Sequence, residues 1–244
     1  MHAAQPSQSP FEAVHSRVVA SPHYRILILP SGYEADRIPA NRQLEEIVRV
    51  TKVNLRGMEF PALGDPRDHL QFGRDYLEAV ADWERDTEIW RFYRSGQFAG
   101  VFKVHFWLGE GMVEYEDLVY SVTEFFEFGS RLVRRLNLIS GVEYDFSLRN
   151  ALGLRVMQSR VRRPTDACCE TEVSFGGRLD FPRAATRHRH EALIGVAKLL
   201  KAFGGAEVRP DILRQTQNEY YSLNLGSDRL PPDDYDWGEN SASA

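Results

Sequence analysis

Residues 90–107 read WRFYRSGQFAGVFKVHFW, and the placement of their aromatic rings decides the fold. Ser95-Gly96 is a turn dipeptide between two runs of strand-forming residues, the sequence pattern of a β-hairpin. On the second arm Phe98, Phe102, Val104 and Phe106 share one face, with Gly100 the single gap. Ala99, Val101, Lys103, His105 and Trp107 share the other. On the first arm Trp90 and Phe92 alternate with Arg91 and Tyr93. A period of two with one nearly all-apolar face predicts a hairpin turned toward a core. Phe92, Phe98, Phe102 and Phe106 are its expected core rings. Rings left outside, with arginines beside them, could stack on a base or on a partner's side chain.

Working outward toward the N-terminus, YLEAVADW (76–83) alternates, but only its odd face is consistently apolar, which suits a sheet with one wet face. YRILILP (24–30) reads as a buried strand, and NRQLEEIVRVTKV (41–53) as a helix carrying Leu44, Ile47 and Val48. VNLRGMEFP (53–61) looks extended, and Gly64, Asp65 and Pro66 mark a loop. Toward the C-terminus, residues 116–138 form the clearest amphipathic helix. Leu118, Val122, Phe125, Leu132 and Leu136 make its stripe, and Val119, Phe126 and Val133 widen it. Acids at its start and arginines at its end complement the helix dipole. Gly129 interrupts the stripe and is expected to mark close approach to another backbone. Two strands around Arg149–Gly153, a strand over 169–175, a helix over 184–203 and a short helix over 210–223 complete the series. Strands joined by tight turns, with helices inserted between groups, predict an α+β fold: a mainly antiparallel sheet with amphipathic helices packed on one face.

The chain has 244 residues, 43% hydrophobic and 27% charged, as ordinary globular proteins are. Residues 1–20 read as a flexible leader, 21–225 as a single α+β domain, and 226–244 as a disordered acidic tail. A net charge of −5 argues against a dedicated non-specific nucleic-acid binder. The adjacent pair Cys168 and Cys169 cannot frame a fold and is expected reduced, on a strand. No signal peptide and no membrane-spanning apolar run is read, so the expected compartment is cytoplasmic, with no membrane contact.

Chemical motifs are scarce. HEALI (190–194) matches a zinc-protease signature until Ile194 replaces the second histidine, so no metal site and no cofactor is expected. His188 and His190 are expected as solvated residues at a helix start. Glu78, Asp82, Glu84, Asp86 and Glu88 share parity, and a turn near Trp83 is expected to separate them. There is no phosphate-binding loop, dinucleotide fingerprint or nucleophile elbow. From 131 to 163 there are eight arginines against Glu143 and Asp145, a local excess of six. Arg131, Arg134, Arg135, Arg160, Arg162 and Arg163 are the candidates for phosphate contact; the same cluster could cover the acidic tail or dock an acidic partner.

Three stretches, VNLRGMEFPAL, WRFYRSGQF and VYSVTEFFEFGSRLV, together resemble the C-terminal region of bacterial proteins that begin with a Schlafen/AlbA-like nucleic-acid-binding domain. Those regions show an RLRGWxFP-like stretch, a W…SGQF hairpin and a TEIFEF helix in this order. The matches are Arg56, Gly57, Phe60 and Pro61; Trp90, Ser95, Gly96, Gln97 and Phe98; and Thr123, Glu124, Phe126, Glu127 and Phe128. Met58 departs from the pattern, and no Schlafen/AlbA-like segment is read before Tyr24. The resemblance implies an accessory module working beside a separate effector protein, in regulation or phage defence. Three functions stand as expectations. The first is a non-catalytic binding, sensor or accessory subunit, whose partner is another protein, of a kind encoded nearby. Its surface candidates are Arg56, Trp83, Trp90, Arg91, Tyr93 and Trp107. The second is a nucleic-acid-binding protein using the 131–163 arginines. The third is a carboxylate- or metal-dependent enzyme using Asp82 and Glu84.

Overall fold

The computed structural model describes residues 10–63, 70–83, 87–106, 108–158, 163–204 and 209–223. In chain order the elements are α1 (Pro10–Val19), β1 (His23–Pro30), α2 (Asn41–Thr51), β2 (Leu70–Phe72), β3 (Tyr76–Asp82), β4 (Thr87–Tyr93), β5 (Phe98–Lys103), β6 (Met112–Glu114) and α3 (Tyr115–Arg135). There follow β7 (Val142–Arg149), β8 (Arg155–Gln158), β9 (Arg163–Pro164), β10 (Glu172–Leu179), α4 (Phe181–Thr186), α5 (His188–Lys201) and α6 (Pro210–Ser222). Seven strands form one sheet in the order β10-β7-β1-β5-β4-β3-β2, every pair antiparallel. A small second sheet pairs β6 with β8 in parallel and β8 with β9 antiparallel. The fold is α+β, as the strand and helix pattern predicts.

β4 and β5 are the hairpin of residues 90–107. Tyr93 and Gln97 close it, and Gly96 supplies the positive φ of 84° that its turn needs. The inward face of the sheet carries Trp90 and Phe92 from β4, Phe98 and Phe102 from β5, Ile26 and Ile28 from β1, and Phe146 and Leu148 from β7, all buried. α3 lies across this face. Phe128 meets Phe98 at 4.8 Å, Phe125 meets Phe146 at 5.5 Å, and α2, α5 and α6 pack around α3. Burying each such ring contributes about 2–3 kcal/mol, so this one interface supplies much of the folding drive.

Several expectations change. Residues 10–19, placed in the leader, form α1, and α1 covers the opposite face of the sheet. Phe11, Val14 and Val18 lie on Val80, Ile89 and Val101, so the helices do not all sit on one side. Their spacing is a helical stripe whose partners stand on the outward parity of β3, β4 and β5. Residues 53–61 form a bent loop closed by a Val53–Phe60 bridge rather than a strand. The cysteines precede β10, with Cys168 buried and Cys169 exposed. The helix expected over 184–203 breaks at Arg187 into α4 and α5. Gly129 approaches no foreign backbone; a Cβ there would meet Ile28 Cδ1 at 3.5 Å. The expected tail, 226–244, lies outside the described residues.

Candidate functional site

The three motif stretches meet in the interior. Phe60, Phe98 and Phe128, one from each, form a ring cluster with centroids 6.0 Å (Phe60–Phe128) and 4.8 Å (Phe98–Phe128) apart. Trp90 stacks on Phe98 and donates its indole N–H to the Ala62 carbonyl at 2.6 Å. At 1% exposure Trp90 is core, and its place among the surface candidates is corrected. The inward parity of β4 decides this, because Trp90 pairs across the sheet with Gly100 and Ala79.

Arg56 is corrected too. Gly57, at φ 84°, turns the loop so that Arg56 reaches under α3. Its guanidinium donates Nε and Nη2 to the two oxygens of Glu124 (2.9 and 2.7 Å) and Nη1 to Asp117 Oδ1 (2.8 Å). Burial alone would lower the Arg56 guanidinium; Glu124 and Asp117 outweigh it and hold the charge above its ordinary range. Burial pushes the Glu124 carboxyl up, against the pull of Arg56. One guanidinium thus serves two buried acids. Tyr220 of α6 donates its hydroxyl to Glu124 Oε1 at 3.1 Å.

About one turn along α3 the pattern repeats. Glu127 accepts from Arg131 Nε at 2.9 Å and from His188 Nε2 at 2.9 Å, and Tyr221 of α6 reaches it at 3.4 Å. Burial would raise the Glu127 carboxyl; His188 and Arg131 overcome this and bring it down to about 2. His188 is therefore buried against Glu127 and is not the solvated residue expected of a helix start. Gln217 completes the seam, donating to Thr123 Oγ1 and the Arg189 carbonyl. Acids at 117, 124 and 127 form a polar stripe on α3, and α6 docks over it with hydrogen bonds from Tyr220, Tyr221 and Gln217 beside the buried Leu213. The sequence signal was two glutamates inside TEFFEF, flanked by core rings. Among the described residues, no group of His, Cys, Asp or Glu side chains has the arrangement to hold a metal ion.

The open concavity lies on the other side. A groove of about 640 Å³ runs beside α1 over the outward face of β1, β5 and β4. Leu27, Ala99, Val101 and Ile89 form its floor. Phe11 and His15 from α1 stand on one side, and Arg25, Arg91 and Tyr93 rise from the sheet. Ala99, set between Leu27 and Arg91 across the sheet, keeps the floor low because its side chain is a single methyl. Arg91 donates to Glu78 at 2.6 Å and lies 4.2 Å over the Phe11 ring, which fixes its direction. Arg25 pairs with Asp145 at 3.1 Å. Arg91 and Tyr93 are thus the surface candidates that the fold gathers into one site. His15, Arg25 and Leu27 were missed because the helix that frames the groove stood in the supposed leader.

The remaining candidates are scattered. Trp83, 51% exposed, follows the end of β3. Trp107, Arg160, Arg162, Glu84 and Asp86 lie outside the described residues. Asp82 is bound by Arg17 at 2.5 Å. The β3–β4 turn sends Glu88 to the inward face and leaves Glu78 and Asp82 on the outward one, so these three carboxylates do not form one cluster. The described arginines of the 131–163 run do not make one face either. Arg131 is spent on Glu127 and the Lys52 carbonyl, and Arg135 pairs with Glu46. Arg163 belongs to the small sheet, whose β6 leads into the first turn of α3. Arg131, Arg134 and Arg135 sit at the far end of that helix, about 25 Å away at 1.5 Å per residue.

No helix among the described residues is long and apolar enough to cross a membrane. No family model, curated protein or solved structure matches the chain.

Proposed function

We propose that the chain is a non-catalytic binding or accessory subunit that acts with a separate effector protein, and that the groove beside α1 receives a segment of that partner. The observation that carries this reading is the groove itself. It combines an apolar floor with two arginines, a histidine and a tyrosine held in fixed directions by ion pairs and ring contacts. Few, well-placed polar groups over an apolar base are the composition of a recognition site. Glu124 and Glu127, whose carboxyls are shifted by burial and by their partners, lie elsewhere, locked in the α3 seam against Arg56, Arg131 and His188. The resemblance of the three motif stretches to accessory regions agrees with this role, and a place in regulation or phage defence follows from the same analogy.

The test is capture of a partner from the native host by the tagged chain, compared with Ala99→Trp, which fills the groove floor. Retention of a specific protein by the unaltered chain, lost in the variant at unchanged melting temperature, is the expected result. Equal capture by both chains, or turnover of a substrate by the isolated chain, would overturn it.

A further inference from the structure

β10 closes one side of the large sheet. β7 pairs with its inner edge along all eight residues, from Glu172↔Arg149 to Leu179↔Val142. Among the described residues no strand pairs with its outer edge. That edge holds no proline and no lysine, and its two charged side chains, Glu172 and Arg178, are opposite in sign. An open edge of this length is a row of N–H and C=O groups that another strand can complete.

The side chains specify which strand fits. Glu172 and Arg178 are both exposed and share the outward face. An antiparallel copy of β10 centred on Phe175 sets Glu172 opposite Arg178 of the second copy, and Arg178 opposite its Glu172. The same register places Val173 opposite Gly177 and Ser174 opposite Gly176, each larger residue against a glycine. A slip of two residues sets Glu172 against Gly176 in one direction, leaving Arg178 to face Glu170 outside the strand, and against Asp180 in the other, so neither keeps Glu172 and Arg178 paired within β10. Within one chain Arg149 already holds Glu172 at 3.1 Å, and Glu143 is the cross-strand neighbour of Arg178. Across the boundary the row then runs Arg149, Glu172, Arg178, Glu143, alternating in sign. Opposite charges directly across antiparallel strands attract, and like charges repel.

We infer that the chain forms a two-fold dimer in which the β10 strands of two copies pair antiparallel about Phe175, joining two seven-stranded sheets edge to edge. Such a contact is self-complementary, as a closed two-fold interface requires. It does not depend on the groove beside α1, which lies over β1, β5 and β4.

Sedimentation of the full chain over a concentration series tests the inference, with Glu172→Arg and Arg178→Glu as separate variants. The unaltered chain is expected to be dimeric. Each reversal sets like charges opposite at both ends of the strand pair and is expected to weaken association about tenfold or more. An equimolar mixture of the two variants is expected to regain the dimer, because the two reversed positions then face each other and the two native ones do likewise. This recovery also shows that both variants fold. A monomeric native chain, a dimer undiminished by either reversal, or a mixture that stays monomeric would each overturn the inference.

Discussion

Arg56 and Glu124, 68 residues apart in sequence, share two parallel hydrogen bonds of 2.9 and 2.7 Å beneath α3. The pair ties the loop after α2 to the central helix, and Asp117 hangs on the same guanidinium. The other oxygen of Asp117 is buried and has no hydrogen-bond partner among the described residues. Removing Arg56 therefore strands two buried carboxylates. Arg56→Ala is expected to cost about 3–5 kcal/mol, the usual penalty for half of a buried ion pair. Arg56→Lys should recover only part of it, since an ammonium cannot make the two-point contact. The midpoint of urea unfolding measures both, and a loss below about 1 kcal/mol for the alanine variant would contradict the account.

Glu127 gives the protein an acid limit. Its folded value of about 2 lies below the ordinary glutamate value near 4.5. A carboxyl depressed in the folded state adds stability above its unfolded value, and that stability is lost as pH falls toward the folded one. The loss should run from roughly pH 4.5 to 2 and amount to about 3 kcal/mol. Glu124, whose carboxyl is raised by burial, contributes with the opposite sign. Glu127→Gln separates the two: the variant should be less stable at neutral pH and show a flatter decline across that window.

Two helical glycines should respond in opposite directions. A methyl group on Gly129 would sit 3.5 Å from Ile28 Cδ1, an ordinary contact, beside a small apolar pocket lined by Phe125 and Val142. Gly129→Ala is expected to stabilise by about 1 kcal/mol, the helix-propensity difference. On Gly195 the same methyl would fall 2.4 Å from the Phe175 ring, which is packed below α5, so Gly195→Ala should destabilise. Thermal melts of the two variants give the comparison.

The hairpin and α3 were legible because one face of each is almost wholly apolar, and the period then fixes which residues turn inward. Arg56 and Trp90 were misplaced for a shared reason. A charged or amphipathic side chain reads as surface until its partner is known, and Glu124 and the Ala62 carbonyl stand far away in sequence. The arginine run failed in another way. Sequence proximity between 131 and 163 spans a chain reversal, so the length of α3 separates what the count had joined. The groove was invisible because it needs α1 on the outward face, and Phe11, Val14 and Val18 show their stripe only once that short segment is taken as a helix.

One side chain from outside the helix fastens the C-terminal end of α1. Asn150, in the left-handed region at φ 53°, donates Nδ2 to the Val19 carbonyl at 2.9 Å and to the Ser21 carbonyl at 3.0 Å. These bonds hold the C-terminal end of α1 and the turn into β1, while Phe11 at the other end lies under Arg91. Asn150→Gly keeps the backbone conformation accessible and removes only the side-chain bonds; Asn150→Ala also strains the backbone, by about 1–2 kcal/mol. In Asn150→Gly, amide exchange should accelerate within residues 10–19 and stay unchanged in β1, β5 and α3. Such local opening draws on the small apolar patch under α1 rather than on the main core. If α1 frames the recognition groove, the same variant should capture the partner more weakly at undiminished global stability. Uniform exchange across the chain would mean instead that α1 is fastened by its apolar stripe alone.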